Sequence, residues 1–157
     1  MKKNKKKKVI FAASSGGHYE QLCMLKPLMQ EYDSVILTEK TKYNATDKDI
    51  KTYYVPQVNR KEKLFPLKML WICIRSLWIY IKEKPDAIIC TGVLAMIPIC
   101  LLMKLMGKKL IYIESFAKVT SPTQSGKLLY KYADHFYVQW ESMKEFYPDA
   151  ECLGGIY

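Results

Sequence analysis

At 157 residues the chain has the length of one domain, and half of its residues are apolar, which excludes extended disorder. The formal charge of +10 is concentrated at one end, where six of the 25 basic residues are Lys2, Lys3, Lys5, Lys6, Lys7 and Lys8. Five scattered cysteines without a CxxC pair argue against a zinc ribbon or disulfide framework, and no stretch of about 18 consecutive apolar residues is present to cross a membrane.

Residues 1–8 read as a basic, disordered tail, and residues 9–157 as a single domain. The lysine run also suits an anionic membrane surface, whereas no basic–aromatic alternation in the body suggests nucleic acid. A first strand is expected over 9–13, followed by the loop SSGGH and a helix over 18–31 with Leu22, Leu25, Leu28 and Met29 at helical spacing. Strands are expected over 35–38 and 52–55, with a polar loop over 39–51 between them. A helix over 67–81, a strand over 87–90, a helix over 94–106 closed by Gly107, and a strand over 110–113 continue the alternation. The loop 114–125, a short helix over 126–132, a strand over 135–139, a helical turn over 142–146 and a last strand over 150–153 complete it. Short β-branched runs alternating with helices predict an α/β fold, a Rossmann-like parallel sheet with helices on both faces.

Such sheets bind ligands beyond the carboxyl ends of their strands. There the sequence gathers Ser14, Ser15, Gly16, Gly17 and His18 after the first strand, Thr38–Lys40 after the second, Thr91 and Gly92 after the fourth, and Glu114 and Ser115 after the fifth. Glycines before a helix start suit a phosphate or pyrophosphate, and equally suit a plain strand-to-helix turn. The pattern matches no dinucleotide or P-loop fingerprint. His18 reads either as a base or as a group that hydrogen-bonds a ligand without moving a proton. Glu114 reads as a general base or sugar-hydroxyl acceptor, or as a cap or ion pair. Thr91-Gly92 taken alone reads more readily as a helix cap than as a binding site.

The segment 67–84 is apolar on nearly all faces, with Trp71 and Trp78, and lies downstream of Lys61, Lys63 and Phe65. That composition suits a membrane or partner contact, or deep burial. The ending AECLGGIY presents Leu153, Ile156 and Tyr157 as an apolar tip, either frayed or docked on another chain.

The stretches SSGGH (14–18), TG (91–92), YIESFAKVTSPT (112–123) and YADHFYVQW (132–140) resemble the membrane-associated subunit of the two-component UDP-sugar glycosyltransferases, over nearly the whole chain after the lysine run. That group serves asparagine-linked glycosylation in eukaryotes and capsule or exopolysaccharide synthesis in bacteria. The order of elements is also similar to the N-terminal half of the lipid II-forming N-acetylglucosaminyltransferase. The resemblance implies a GT-B fold split over two chains. This chain would bind a lipid-pyrophosphate-linked acceptor, and a separate donor-binding glycosyltransferase subunit would hold the UDP-sugar, with no metal or cofactor.

It further implies that Gly16, Gly17 and His18 face the pyrophosphate region, with His18 as candidate base and Glu114 as acceptor-binding residue or alternative base. Ser14, Ser15, Thr91, Gly92 and Ser115 would line the acceptor site. Lys61, Lys63, Phe65, Trp71 and Trp78 would rest on the cytoplasmic face of the membrane as a peripheral attachment, and Leu153, Ile156 and Tyr157 would dock on the partner. Two readings of other classes stand beside this one: a non-catalytic scaffold that activates a partner, and a stand-alone nucleotide-binding protein.

Overall fold

The computed structural model describes residues 6–41, 49–92 and 94–157. Residues 1–5 of the lysine run, the centre of the expected 39–51 loop, and Val93 lie outside the described residues. Seven parallel strands form one sheet in the order β3-β2-β1-β4-β5-β6-β7. They are β1 (Lys8–Ala13), β2 (Asp33–Lys40), β3 (Lys51–Pro56), β4 (Ala87–Cys90), β5 (Lys109–Ile113), β6 (His135–Val138) and β7 (Glu151–Cys152). Lys8 belongs to β1 rather than to a tail: its ammonium pairs with Glu83 and Asp33, and its register partner is Asp33. Lys6 also touches the body, donating to the Gln30 carbonyl at 2.7 Å.

The helices are α1 (Gly17–Met24), α2 (Lys26–Glu31), α3 (Phe65–Glu83), α4 (Ile97–Leu105) and α5 (Gln124–Tyr130). One continuous helix is expected over 18–31, but two are present. Pro27 sits in the first turn of α2. It lacks an N–H and crowds the carbonyl four residues back, so the chain breaks at Leu25. The 94–106 helix likewise opens as a 3-10 turn over Leu94–Met96 before α4 begins, and Gly107, with φ of 69°, lets the chain leave it.

Strand alternation divides the apolar side chains between two faces. Ile10, Ala12, Leu37, Ile88, Leu110 and Tyr112 pack with Ile72, Ile79, Ile99 and Met103 of α3 and α4 in the larger core. Val9, Phe11, Ala13, Ile36 and Ile89 face Leu22 and Met29 of α1 and α2 in the smaller one. Helices therefore cover both faces, as expected. The neighbours of β1 are β2 on one side and β4 on the other, so the strand order reverses there. That crevice, bounded by the loops after β1 and β4, is where open α/β sheets place ligands.

Candidate functional site

The loop after β1 and the loop after β4 are stitched together at this crevice. Ser14 N–H donates to the Gly92 carbonyl at 2.8 Å, and the Thr91 hydroxyl donates to the His18 carbonyl at 2.8 Å. His18 Nδ1 lies 2.9 Å from the Thr91 carbonyl oxygen. A carbonyl only accepts, so Nδ1 carries the hydrogen, and in the neutral imidazole Nε2 keeps its lone pair. Gly92 makes this closure possible. Its φ is 113°, and a β-carbon there would stand 3.1 Å from His18 Nδ1. Gly16, with φ of 75°, turns the chain into α1, whose N-terminus carries no side-chain cap.

The two serines are less open than their sequence suggests. Ser14 is buried, and both the N–H and hydroxyl of Ser15 donate to Glu39 Oε2 at 3.2 Å. Glu39 Oε1 accepts in turn from Val58 N–H at 3.4 Å. A carboxylate from the end of β2 therefore already occupies the first part of the glycine loop, and joins it to the segment before α3. This residue falls in the Thr38–Lys40 loop singled out from the sequence, but its acceptor role depends on long-range folding.

Glu114 is placed differently from a solvent-facing base. It is 1% exposed, and its carboxylate accepts from Ser115 N–H at 2.9 Å, Thr123 N–H at 3.2 Å, the Thr123 hydroxyl and the Tyr147 hydroxyl at 2.7 Å. Thr123 simultaneously caps α5 by accepting from Gly126 N–H. Burial first, and then the Glu114 carboxylate, push the Tyr147 hydroxyl well above its ordinary titration range, so it stays a donor. Glu114 thus ties together the two ends of the 115–123 loop, Ser115, which is buried, and Thr123. Tyr147, 33 residues from Glu114, gave no sequence signal, whereas Thr123, 9 residues on, closes the stretch 112–123 that carries the resemblance. Tyr112 lies between the two halves of the site. Its buried hydroxyl has no hydrogen-bond partner among the described residues.

Of the expected membrane residues, Trp71, Trp78, Lys61 and Lys63 are exposed. On α3, Leu67, Leu70, Trp71, Ile74, Leu77, Trp78 and Ile81 are all exposed, while Ile72, Ser76, Ile79 and Glu83 are buried. Arg75 and Lys82 lie 4.4 and 4.5 Å from the Trp78 ring. Lys61 and Lys63 are exposed and Phe65 is half-buried beside them. Among the described residues no helix is long and apolar enough to cross a membrane. At the other end, Leu153 is 80% exposed and Tyr157 is exposed, but the tail also rests on its own chain. Ile156 N–H donates to Gln139 Oε1 at 2.9 Å, Gln139 Nε2 donates to the Glu114 carbonyl at 2.8 Å, and Tyr157 packs edge-on against Phe116.

Residues 33–156 match the family described as "Oligosaccharide biosynthesis protein Alg14 like". The chain is 32% identical over 117 residues to the human UDP-N-acetylglucosamine transferase subunit ALG14, covering 66% of this chain and 54% of that protein. It is 31% identical to the Yarrowia lipolytica protein of that name, over 88% of this chain and 76% of that one. The chain therefore spans about half the length of the human relative. Among solved structures, Acinetobacter baumannii MurG superposes with a TM-score of 0.71 at 19% identity, over 87% of this chain and 42% of that one. A UDP-N-acetylglucosamine 2-epimerase superposes at 0.65 and 15% identity, over 94% of this chain and 46% of that one. At those identities the likeness establishes the fold.

Proposed function

The chain belongs to the Alg14-like family, and from that membership we propose that it is the acceptor-binding, membrane-recruiting half of a two-chain UDP-sugar glycosyltransferase. The observation that carries this reading is the crevice between β1 and β4, where His18 is held with Nδ1–H on the Thr91 carbonyl, which in the neutral ring leaves the lone pair on Nε2. In the reaction, Nε2 accepts the proton of an acceptor hydroxyl while that oxygen bonds to the sugar's anomeric carbon and the bond to UDP breaks. The donor sits on a separate subunit, which supplies the contacts to the departing UDP. Glu114 serves by positioning the 115–123 loop. Ser14, Thr91 and Gly92 hold the base in place.

The acceptor is a lipid-pyrophosphate-linked saccharide, in a capsule or exopolysaccharide setting. The relatives' names speak instead of UDP-N-acetylglucosamine transfer, so that sugar is the first donor to try. The exposed apolar stripe of α3, with Leu105 and Met106 exposed at the end of α4, supports peripheral contact with an anionic membrane surface. Leu153 and Ile156 line a groove with Leu25, Leu28, Ile111 and Tyr137, Tyr157 packs on Phe116, and the donor-binding subunit docks there.

The test is to co-express the chain with its donor-binding subunit and assay transfer from radiolabelled UDP-sugars to a lipid-pyrophosphate acceptor. His18→Gln is expected to lower turnover about 100-fold or more with the complex intact. Near wild-type turnover removes His18 from the chemistry and favours the scaffold reading.

A further inference from the structure

The segment that follows β6 runs along the 115–123 loop and holds it at three places. Gln139 Nε2 donates to the Glu114 carbonyl at 2.8 Å, Trp140 Nε1 to the Phe116 carbonyl at 2.7 Å, and the Ser142 hydroxyl to the Val119 carbonyl at 2.5 Å. The first of these also reaches the C-terminal tip, because Gln139 Oε1 accepts from Ile156 N–H at 2.9 Å. The Gln139 side chain is buried, and each end of its amide is engaged in one of these two bonds.

The tip is fitted to the loop as well as bonded to it. A β-carbon on Gly155 would stand 3.1 Å from Phe116 Cε2, and the Tyr157 ring centroid lies 5.1 Å from that of Phe116. Leu153 nevertheless faces solvent, so the tip is covered on one side alone. Gln139 and Ile156 both line the groove proposed above for the donor-binding subunit, a hollow of about 360 Å3. A molecule that fills this groove meets Gln139 and the tip together. It therefore favours the arrangement in which Ile156 rests on Gln139.

We propose that Gln139 is a positioning residue through which docking of the donor-binding subunit orders the 115–123 loop. With the groove filled, Ile156 stays on Gln139 Oε1 and Gln139 Nε2 stays on the Glu114 carbonyl, so the strand end that carries Glu114 is fixed. With the groove open, the tip lifts and leaves the buried amide oxygen unpaired, a costly state, and the amide turns away from Glu114 to regain a partner. The subunit then brings more than the sugar donor, because its docking also completes the acceptor side. The proposal rests on the two-chain reading above and goes beyond it, since that reading asks only that the two chains bind.

The test is amide hydrogen exchange of the full chain, alone and with saturating donor-binding subunit, read at Ser115, Lys118 and Thr123. The subunit is expected to slow these amides about tenfold in the parent and less than about twofold in Gln139→Leu, while binding both within about threefold of the same affinity. Ser142→Ala, which frees the loop at Val119 without touching the tip, is expected to keep the parent's response. In the chain alone, deleting residues 153–157 is expected to speed exchange at Ser115 about tenfold and to leave the core amide of Leu110 unchanged. No slowing in the parent overturns the proposal, as does equal slowing in Gln139→Leu, or unchanged exchange at Ser115 after the deletion. In transfer assays Gln139→Leu is expected to lower kcat about tenfold even at saturating subunit, whereas a tip that only fastens the chains together gives full kcat there. Full kcat sinks the Gln139 link and leaves the glycosyltransferase reading standing. The expected exchange pattern without any transfer by the parent pair keeps the link and sinks that reading.

Discussion

A β-carbon on Gly126 would stand 2.2 Å from Glu114 Oε2 and 2.6 Å from the Tyr147 hydroxyl, so the cluster under the 115–123 loop closes only around glycine. Gly126→Ala is expected to cost about 2–3 kcal/mol in urea unfolding, whereas Gly17→Ala, with nothing within 4 Å, is expected to stay within about 0.5 kcal/mol of the parent. A second residue-scale prediction concerns Glu83. Burial alone would raise its carboxyl, but hydrogen bonds from Lys51, Tyr53 and Lys8 outweigh that and hold it at about 2, against an ordinary 4.5. A depressed folded value means the stabilisation is fully present above pH 4.5 and fades as the pH falls toward 2. Glu83→Gln is therefore expected to lose on the order of 2–3 kcal/mol at pH 7 and to show a flatter acid limb in thermal melts between pH 5 and pH 2. At this scale the sequence placed His18 at the carboxyl end of the sheet, where the structure has it against Thr91. It was uninformative about Glu114, since nothing local announces that Thr123 and Tyr147 will consume its lone pairs.

At the scale of elements, α3 carries apolar side chains on opposite sides, with Ile72 and Ile79 in the core and Trp71 and Ile74 in solvent. An exposed apolar stripe of this kind marks a surface where another molecule can bind. Trp71→Ser/Ile74→Ser removes two exposed side chains and leaves the core untouched. The variant is expected to fold like the parent and to lose at least tenfold in flotation with anionic liposomes, since each side chain is worth about 1.5 kcal/mol or more when buried. Unchanged flotation would remove the α3 stripe as a membrane-binding face. The strands were legible because runs such as AIIC and LIYI are β-branched and bounded by polar or glycine residues. The break at Leu25 was less legible, because Leu22, Leu25, Leu28 and Met29 keep helical spacing across it and only Pro27 marks the place.

Across the whole molecule, alternation of elements predicted a parallel sheet, and the sheet is parallel throughout. What spacing does not reveal is adjacency. That β4, rather than β3, lies beside β1 is what brings Thr91 and Gly92 to His18. The C-terminal tip, expected to be frayed or docked on another chain, is anchored inward through Gln139 to the strand end that carries Glu114. Finally, the His18–Thr91 bond spans 73 positions of chain. During synthesis the imidazole therefore has no fixed tautomer and no defined neighbour until β4 has left the ribosome and paired with β1. A nascent or partly unfolded chain therefore carries the glycine loop without an oriented imidazole beside it.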